Sequence, residues 1–111
     1  MALAKFQFIG NLTRDAEYNP DSDSPAILDI AVDADHVKDG VKVEETDYFR
    51  VKCFNAIAKN AGKYLGKGSK VYIEGRIKPT VYESPPGTKK YGTDYIATYI
   101  DYLATKEPGQ N

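Results

Sequence analysis

The first third of the chain alternates apolar and polar residues with the two-residue period of β-strands. KFQFIGNL, which starts at Lys5, places Phe6 and Phe8 on one face and predicts a first strand that ends near Gly10. AILDIAVDAD, residues 26–35, places Leu, Ile and Val on one face and predicts a second strand. The segment between them, EYNPDSDSP, has the Asn, Pro, Asp and Ser content of a turn.

A third strand is predicted by TDYFRVKCF, residues 46–54, in which the two faces differ in an informative way. One face is apolar and suits a core, with Phe49, Val51 and Cys53. The opposite face alternates rings and cations, in the order Tyr48, Arg50, Lys52 and Phe54. A solvated face is usually polar throughout, so two aromatic rings around two positive charges indicate a surface that binds something.

The period then changes to that of a helix. NAIAKNAGKYL, residues 55–65, has apolar residues at helical spacing, Asn55 can cap its start, and Gly66 follows its end. KVYIEGRIK, residues 70–78, and the TVYE that follows predict a fourth strand. YGTDYIATYIDYL, residues 91–103, predicts the last one.

This order of elements predicts an all-β fold, a five-stranded OB-fold Greek-key barrel with one short helix between strands 3 and 4. We expect one domain over residues 1–105 and a short, flexible C-terminal end over residues 106–111. Long hairpin loops are expected near residues 35–44, where Asp39-Gly40 is a strong turn signal, and near residues 82–91. In OB folds such loops flank the face that binds oligonucleotides.

The composition argues against catalysis. The chain has 111 residues with a single cysteine, Cys53, on the apolar face of the third strand, so it predicts a core thiol and no disulfide within the chain. His36, the only histidine, falls in a predicted loop, and Cys and His do not cluster at metal-binding spacing. We therefore expect no enzyme, no metal and no cofactor. With neither a signal peptide nor a membrane-spanning run, the expected location is cytoplasmic, with no membrane partner.

Charge is distributed unevenly along the chain. Residues 15–47 contain eleven Asp and Glu against two Lys, whereas residues 48–93 contain ten Lys and Arg against two Glu. Such asymmetry favours a polyanionic partner. The alternative is that folding interleaves the two segments and the charges cancel locally.

The ring-and-cation face points to single-stranded nucleic acid, whose bases offer free π-faces and whose phosphates carry negative charge. Tyr48 and Phe54 are the candidate stacking platforms on the third strand, and Tyr82 is another at the second loop. The candidate phosphate contacts and loop contacts are Arg50, Lys52, Lys78, Lys89, Lys90, His36 and Lys38. The competing interpretation is that the rings pack beneath a loop or against another subunit.

Three motifs resemble those of the bacterial single-stranded-DNA-binding protein family. They are IGNLTRD (residues 9–15), TDYFRVKCF, and KYLGKGSKVYIEGRIK (residues 63–78), and the similarity extends over residues 5–103. The short plasmid- or phage-encoded forms are the most similar members. The resemblance implies an OB fold, usually a homotetramer, that binds and protects single-stranded DNA without sequence preference during replication, recombination, repair or plasmid transfer.

The resemblance also implies roles for individual residues. Tyr48, Phe54 and Tyr82 stand at positions where the family has stacking aromatic residues, and His36 stands at or beside a fourth. Phe49 replaces a histidine that the family buries near a subunit contact. We expect a subunit interface that includes Phe6, Phe49 and Tyr72.

Two rival functions stay open at this point. One is a primosome-type OB-fold dimer, and the other is a scaffold that uses the barrel to hold protein partners. Family members commonly carry a long tail with an acidic tip that recruits replication and repair proteins. This chain stops at KEPGQN, so it does not support recruitment through such a tip.

Overall fold

The computed structural model describes residues 3–109. The strands in chain order are β1 (Lys5–Leu12), β2 (Ala26–Asp33), β3 (His36–Lys38), β4 (Val41–Val43), β5 (Thr46–Cys53), β6 (Lys70–Glu83) and β7 (Lys89–Ala104). One helix, α1 (Asn55–Tyr64), lies between β5 and β6.

Five strands form a closed barrel in the order β1-β2-β5-β7-β6, while β3 and β4 form a separate two-stranded sheet. Neighbouring barrel strands are antiparallel except β5 and β7, which are parallel. The helix connects β5 and β6, the third and fourth strands of the barrel in chain order. This is the predicted OB-fold barrel, and the prediction is confirmed.

The core follows the alternation that the sequence predicts. Leu28 and Ile30 of β2, Val51 of β5 and Ile73 of β6 are completely buried. Burying an aliphatic side chain of this size stabilises the fold by about 1.5–3 kcal/mol relative to leaving it exposed. The inner face is therefore fixed, and the alternate residues of the same strands must face outward.

A glycine allows β6 and β7 to approach each other closely. The ladder between these strands shifts register next to Gly75, and a Cβ atom at Gly75 would collide with the carbonyl oxygen of Ile96. The position therefore requires glycine. This register shift, a β-bulge, lies close to the point where β6 and β7 begin to extend beyond the barrel.

Helix α1 confirms the predicted helix, but its start differs from the expectation. Phe54, in an extended conformation, occupies the N-cap position without a side-chain hydrogen bond, and Asn55 has φ +56°. Asn55 therefore does not cap the helix; it adopts the left-handed conformation that turns the chain from β5 into α1, which Asn tolerates better than most residues. Within residues 3–109, no helix is long and apolar enough to cross a membrane.

Both predicted loops contain more strand than expected. Residues 35–44 include the hairpin β3–β4, whose turn has positive φ at Asp39 and Gly40, as a type I′ turn requires. β6 and β7 remain paired as far as Glu83 and Lys89, so the second loop comprises only residues 84–88 instead of 82–91. We call the paired segments 77–83 and 89–95 the β6–β7 arm.

The chain after β7 is attached to the barrel. The buried Ser69 hydroxyl donates to the carbonyl of Lys106 and accepts from its N–H, at 3.1 and 2.9 Å. Asp15 accepts the N–H groups of Lys67 and Gly109, which lowers the pKa of its carboxyl. The expected flexible end at 106–111 thus includes residues that hydrogen-bond to the domain, and residues 110 and 111 lie outside the described part.

Candidate nucleic-acid interface

The outward face of β5 presents two aromatic rings to solvent. Because Val51 and Cys53 point into the core, the alternate positions project outward. Tyr48 is 72% exposed near the start of this face, and Phe54 is 41% exposed at its end. Rings left open on an ordered strand can stack on bases without much reorganisation.

The two cations between these rings are paired with carboxylates. Arg50 Nε donates to Asp29 Oδ1 at 3.0 Å across the β2–β5 ladder, and this hydrogen bond raises the pKa of Arg50. Lys52 Nζ lies 3.2 Å from Asp94 Oδ2 of β7. The sequence indicates neither pairing, since both depend on which strands lie side by side and in what register.

The outward face continues from β5 across β7 to β6. Lys52 lies opposite Ile96 in the parallel ladder, and Ile96 lies opposite Arg76. In the neighbouring row, Asp94 lies opposite Lys78. The barrel therefore brings Lys78, which the sequence analysis grouped with Tyr82 near the second loop, onto the surface that carries Arg50 and Lys52. It adds the exposed Arg76, which the site prediction missed.

The β6–β7 arm separates its two predicted lysines. Tyr82 is 52% exposed and lies opposite Lys90, so ring and cation share one face. An added Cβ at Gly92 would lie in ordinary contact with Tyr82 Cε1, at 3.8 Å, but only 2.9 Å from Thr80 Oγ1, so Thr80 is the tight neighbour. Lys89 lies opposite Glu83 and points to the other face.

The second face of the arm also carries an aromatic residue that the site prediction missed. Tyr91 lies opposite Val81, and both side chains are exposed. The alternation of the sequence around Tyr91 contains the signal, but only the pairing with β6 shows which face it occupies.

His36 and Lys38 lie on β3 of the small hairpin. Both are exposed, and His36 Nε2 is 3.9 Å from a carboxylate oxygen of Glu45. The hairpin follows the last rung of the β2–β5 ladder, close in sequence to Tyr48. These two residues thus belong to a separate sheet beyond the Tyr48 end of the β5 face.

The three predicted interface residues have different surroundings. Phe6 is buried in the core of its own chain, so little of its ring is left for a partner. Phe49 is half-buried and stacks on Phe8, with ring centroids 4.2 Å apart. The Tyr72 hydroxyl donates to Glu74 at 2.6 Å, which raises the pKa of Tyr72 and lowers that of Glu74.

Groups suited to acid–base or metal chemistry are sparse in this structure. Burial raises the pKa of Cys53 to about 12, so its thiol stays protonated. Among residues 3–109, no group of three or more His, Cys, Asp or Glu side chains could hold a metal ion. The arrangement supports binding through rings and cations.

Comparison with known proteins agrees with this geometry. The profile of the single-strand binding protein family matches residues 3–103. The chain belongs to this family. The resemblance in the three sequence motifs is thereby confirmed, while a plasmid or phage origin stays a prediction.

Curated relatives extend the match over nearly the whole chain. Single-stranded DNA-binding protein 1 of Xylella fastidiosa strain 9a5c is 33% identical over 110 residues, which cover 96% of this chain and 81% of that protein. The single-stranded DNA-binding protein of Xanthomonas axonopodis pv. citri is 32% identical over 96% of this chain. The chain spans 61% of the length of that second relative.

Solved structures share the fold. The small single-stranded DNA-binding protein of Streptomyces coelicolor superposes with a TM-score of 0.70 at 21% identity, covering 92% of this chain and 95% of its own. The mitochondrial single-stranded DNA-binding protein of S. cerevisiae gives a TM-score of 0.68 at 20% identity, covering 96% and 100%. At such low identity these similarities concern the barrel alone.

Proposed function

We propose that this protein binds single-stranded DNA without sequence preference and performs no catalysis. The observation that supports the proposal most strongly is the outward face of β5, where exposed Tyr48 and Phe54 lie on either side of Arg50 and Lys52. Each base offers a π-face whatever its identity, so stacking tolerates any sequence. Membership in the single-strand binding protein family supports the same role.

Stacking and charge have separate tasks in this proposal. Tyr48, Phe54 and Tyr82 stack on bases, while lysine and arginine side chains contact phosphates along the face. The phosphate contacts are Arg50, Lys52, Lys78 and Lys90 on the surface that carries the rings, with Lys89 as a weaker contact from the opposite face of the arm. His36 and Lys38 add contacts from the hairpin β3–β4. The biological role is to cover and protect single strands during replication, recombination, repair or plasmid transfer, in the cytoplasm.

Titration of a fluorescent dT oligonucleotide at several salt concentrations tests the proposal. Affinity should fall steeply with salt, because each phosphate contact adds a slope of about −0.7 in log K against log salt for single strands. A duplex of the same length should bind far more weakly, since its bases are stacked on each other. Absent or salt-independent binding would instead favour a protein-interaction scaffold.

We also propose a homotetramer in which Phe49 and Tyr72 lie at or near subunit contacts. Phe49 is only half-buried within one chain, and the outward face around Tyr72 mixes an aromatic ring with charges, as interfaces commonly do. Light scattering should give four times the mass of the chain. A mass twice that of the single chain would favour the primosome-type dimer. A mass equal to that of the single chain would exclude both the tetramer and the dimer.

A further inference from the structure

Two arginines from different parts of the chain converge on one carboxylate. Arg50 Nε donates to Oδ1 of Asp29, and Arg14 Nε contacts Oδ2 of the same group. The Asp29 side chain is only 18% exposed, and each of its two carboxylate oxygens contacts one of the guanidinium groups. Arg50 belongs to the β5 face already described, whereas Arg14 comes from the connection between β1 and β2.

The chain around Arg14 is anchored on both sides, which fixes where its side chain begins. Thr13 donates to the carbonyl of Asp29 through its N–H at 2.9 Å and through its hydroxyl at 3.3 Å. Asp15 accepts the N–H of Lys67, and Ala16 donates to the carbonyl of Leu65. Arg14 therefore stands beside Asp29 because of the fold, and not through a chance surface encounter.

Both guanidinium groups keep most of their donors available. Each guanidinium carries five N–H donors, and the contact through Nε leaves the four on the Nη atoms. The side chains of Arg14 and Arg50 are 59% and 62% exposed, so these donors face solvent. Guanidinium forks match phosphate oxygens well, and exposed ion pairs alone contribute little to stability.

We propose that Arg14 and Arg50, oriented by Asp29, form a phosphate-binding clamp for single-stranded DNA. The inference rests on the proposed function and extends the DNA path from β5 across β2 to the β1–β2 connection. Asp29 acts as a positioning residue, since both of its oxygens contact the arginines. Glu17 pairs with Ile27, two residues before Asp29 on β2, so its negative charge lies beside the clamp and opposes phosphate binding there.

Arg14→Ala tests the clamp against Lys59→Ala, which removes the same charge from the exposed surface of α1. Binding of a dT oligonucleotide is measured at several salt concentrations, and thermal melting checks folding. Arg14→Ala should lower affinity several-fold at low salt and flatten the salt slope, by less than the about 0.7 of an unpaired phosphate contact because Asp29 partly cancels the charge. Lys59→Ala should change both quantities much less.

Two conservative variants separate a clamp from a general charge effect, and they serve even if Arg14→Ala folds poorly. Arg14→Lys keeps the charge but loses the fork, so the salt slope should stay while affinity falls. Glu17→Gln should tighten binding more than Glu107→Gln, which removes the same charge elsewhere.

The outcomes distinguish this inference from the proposed function. If Arg14→Ala and Arg14→Lys bind like the wild type while the wild type binds dT with steep salt dependence, the clamp is wrong and the proposed function stands. Equal effects of Glu17→Gln and Glu107→Gln would also overturn the clamp. A wild type that does not bind dT would overturn both.

Discussion

The β5 face and the β6–β7 arm both place an aromatic ring beside cations, but only the cations of the β5 face are paired with carboxylates. On β5, Arg50 lies 3.0 Å from Asp29 and Lys52 lies 3.2 Å from Asp94. On the arm, the lysines are exposed, and among residues 3–109 no carboxylate lies within 4 Å of them. One region therefore holds its cations in place, and the other leaves them free.

This difference predicts that the two regions contribute to DNA binding in different ways. A cation held by a carboxylate is ordered in advance, but its charge is partly cancelled, so it attracts a phosphate less at long range. A free lysine keeps its full charge and loses side-chain entropy when it binds. We therefore expect the β5 face to contribute more to affinity through stacking, and the arm to contribute more to salt dependence.

The largest effect should come from the rings of the β5 face. Tyr48→Ala and Phe54→Ala should each weaken binding by about 1–3 kcal/mol, the contribution of one stacked base. Tyr82→Ala should have a smaller effect, because the neighbouring arm side chains Val81 and Tyr91 are exposed and no buried core supports the ring from behind. Tyr64→Ala, which removes an exposed tyrosine at the end of α1, is the control, measured in the same fluorescence titration.

If Tyr82→Ala caused the larger loss, the ranking of the two regions would be reversed. Normal binding in all three variants would mean that the assigned face is wrong.

A smaller effect should distinguish the two lysines at the end of the arm. Lys90 shares a face with Tyr82, whereas its neighbour Lys89 points to the opposite face with Glu83. Lys90→Ala should flatten the salt slope by about 0.7, the share of one phosphate contact with a single strand. Lys89→Ala, with the same charge change one residue away, should flatten it less. Equal slopes would show that the DNA contacts both faces of the arm.

Removing a carboxylate from the β5 face should act in the opposite direction. Asp94→Asn frees Lys52, so it should tighten binding modestly at low salt and steepen the salt dependence. Asp101→Asn removes the same charge from the same strand at an exposed position and is the matched control. Weaker binding in Asp94→Asn would show that the ion pair is needed to position Lys52, and the idea of partial cancellation would fail.

Sequence periodicity was enough for the barrel, because a strand with one buried face carries a two-residue pattern that the core enforces. It also placed Tyr48 and Phe54 on the outside of β5. Periodicity could not predict the ion pair between Lys52 and Asp94, because these residues are far apart in sequence and come together only through the parallel β5–β7 ladder. For the same reason Lys89 and Lys90 looked equivalent until the arm register separated them.

The smallest expected effect concerns the core behind the β5 face and tests whether binding losses there reflect lost contacts or a distorted strand. Cys53 lies on β5 between Lys52 and Phe54, is completely buried, and has its pKa raised by burial to about 12. At pH 8 its thiol should therefore react very slowly with an aromatic disulfide reagent, whereas the unfolded chain, with an ordinary thiol pKa, should react quickly.

Tyr48→Ala and Phe54→Ala should label as slowly as Lys90→Ala on the arm. Fast labelling of Phe54→Ala under native conditions would mean that the substitution opens β5. The stacking role of Phe54 would then have to be tested with Phe54→Leu. This variant keeps an apolar side chain over the strand but removes the ring.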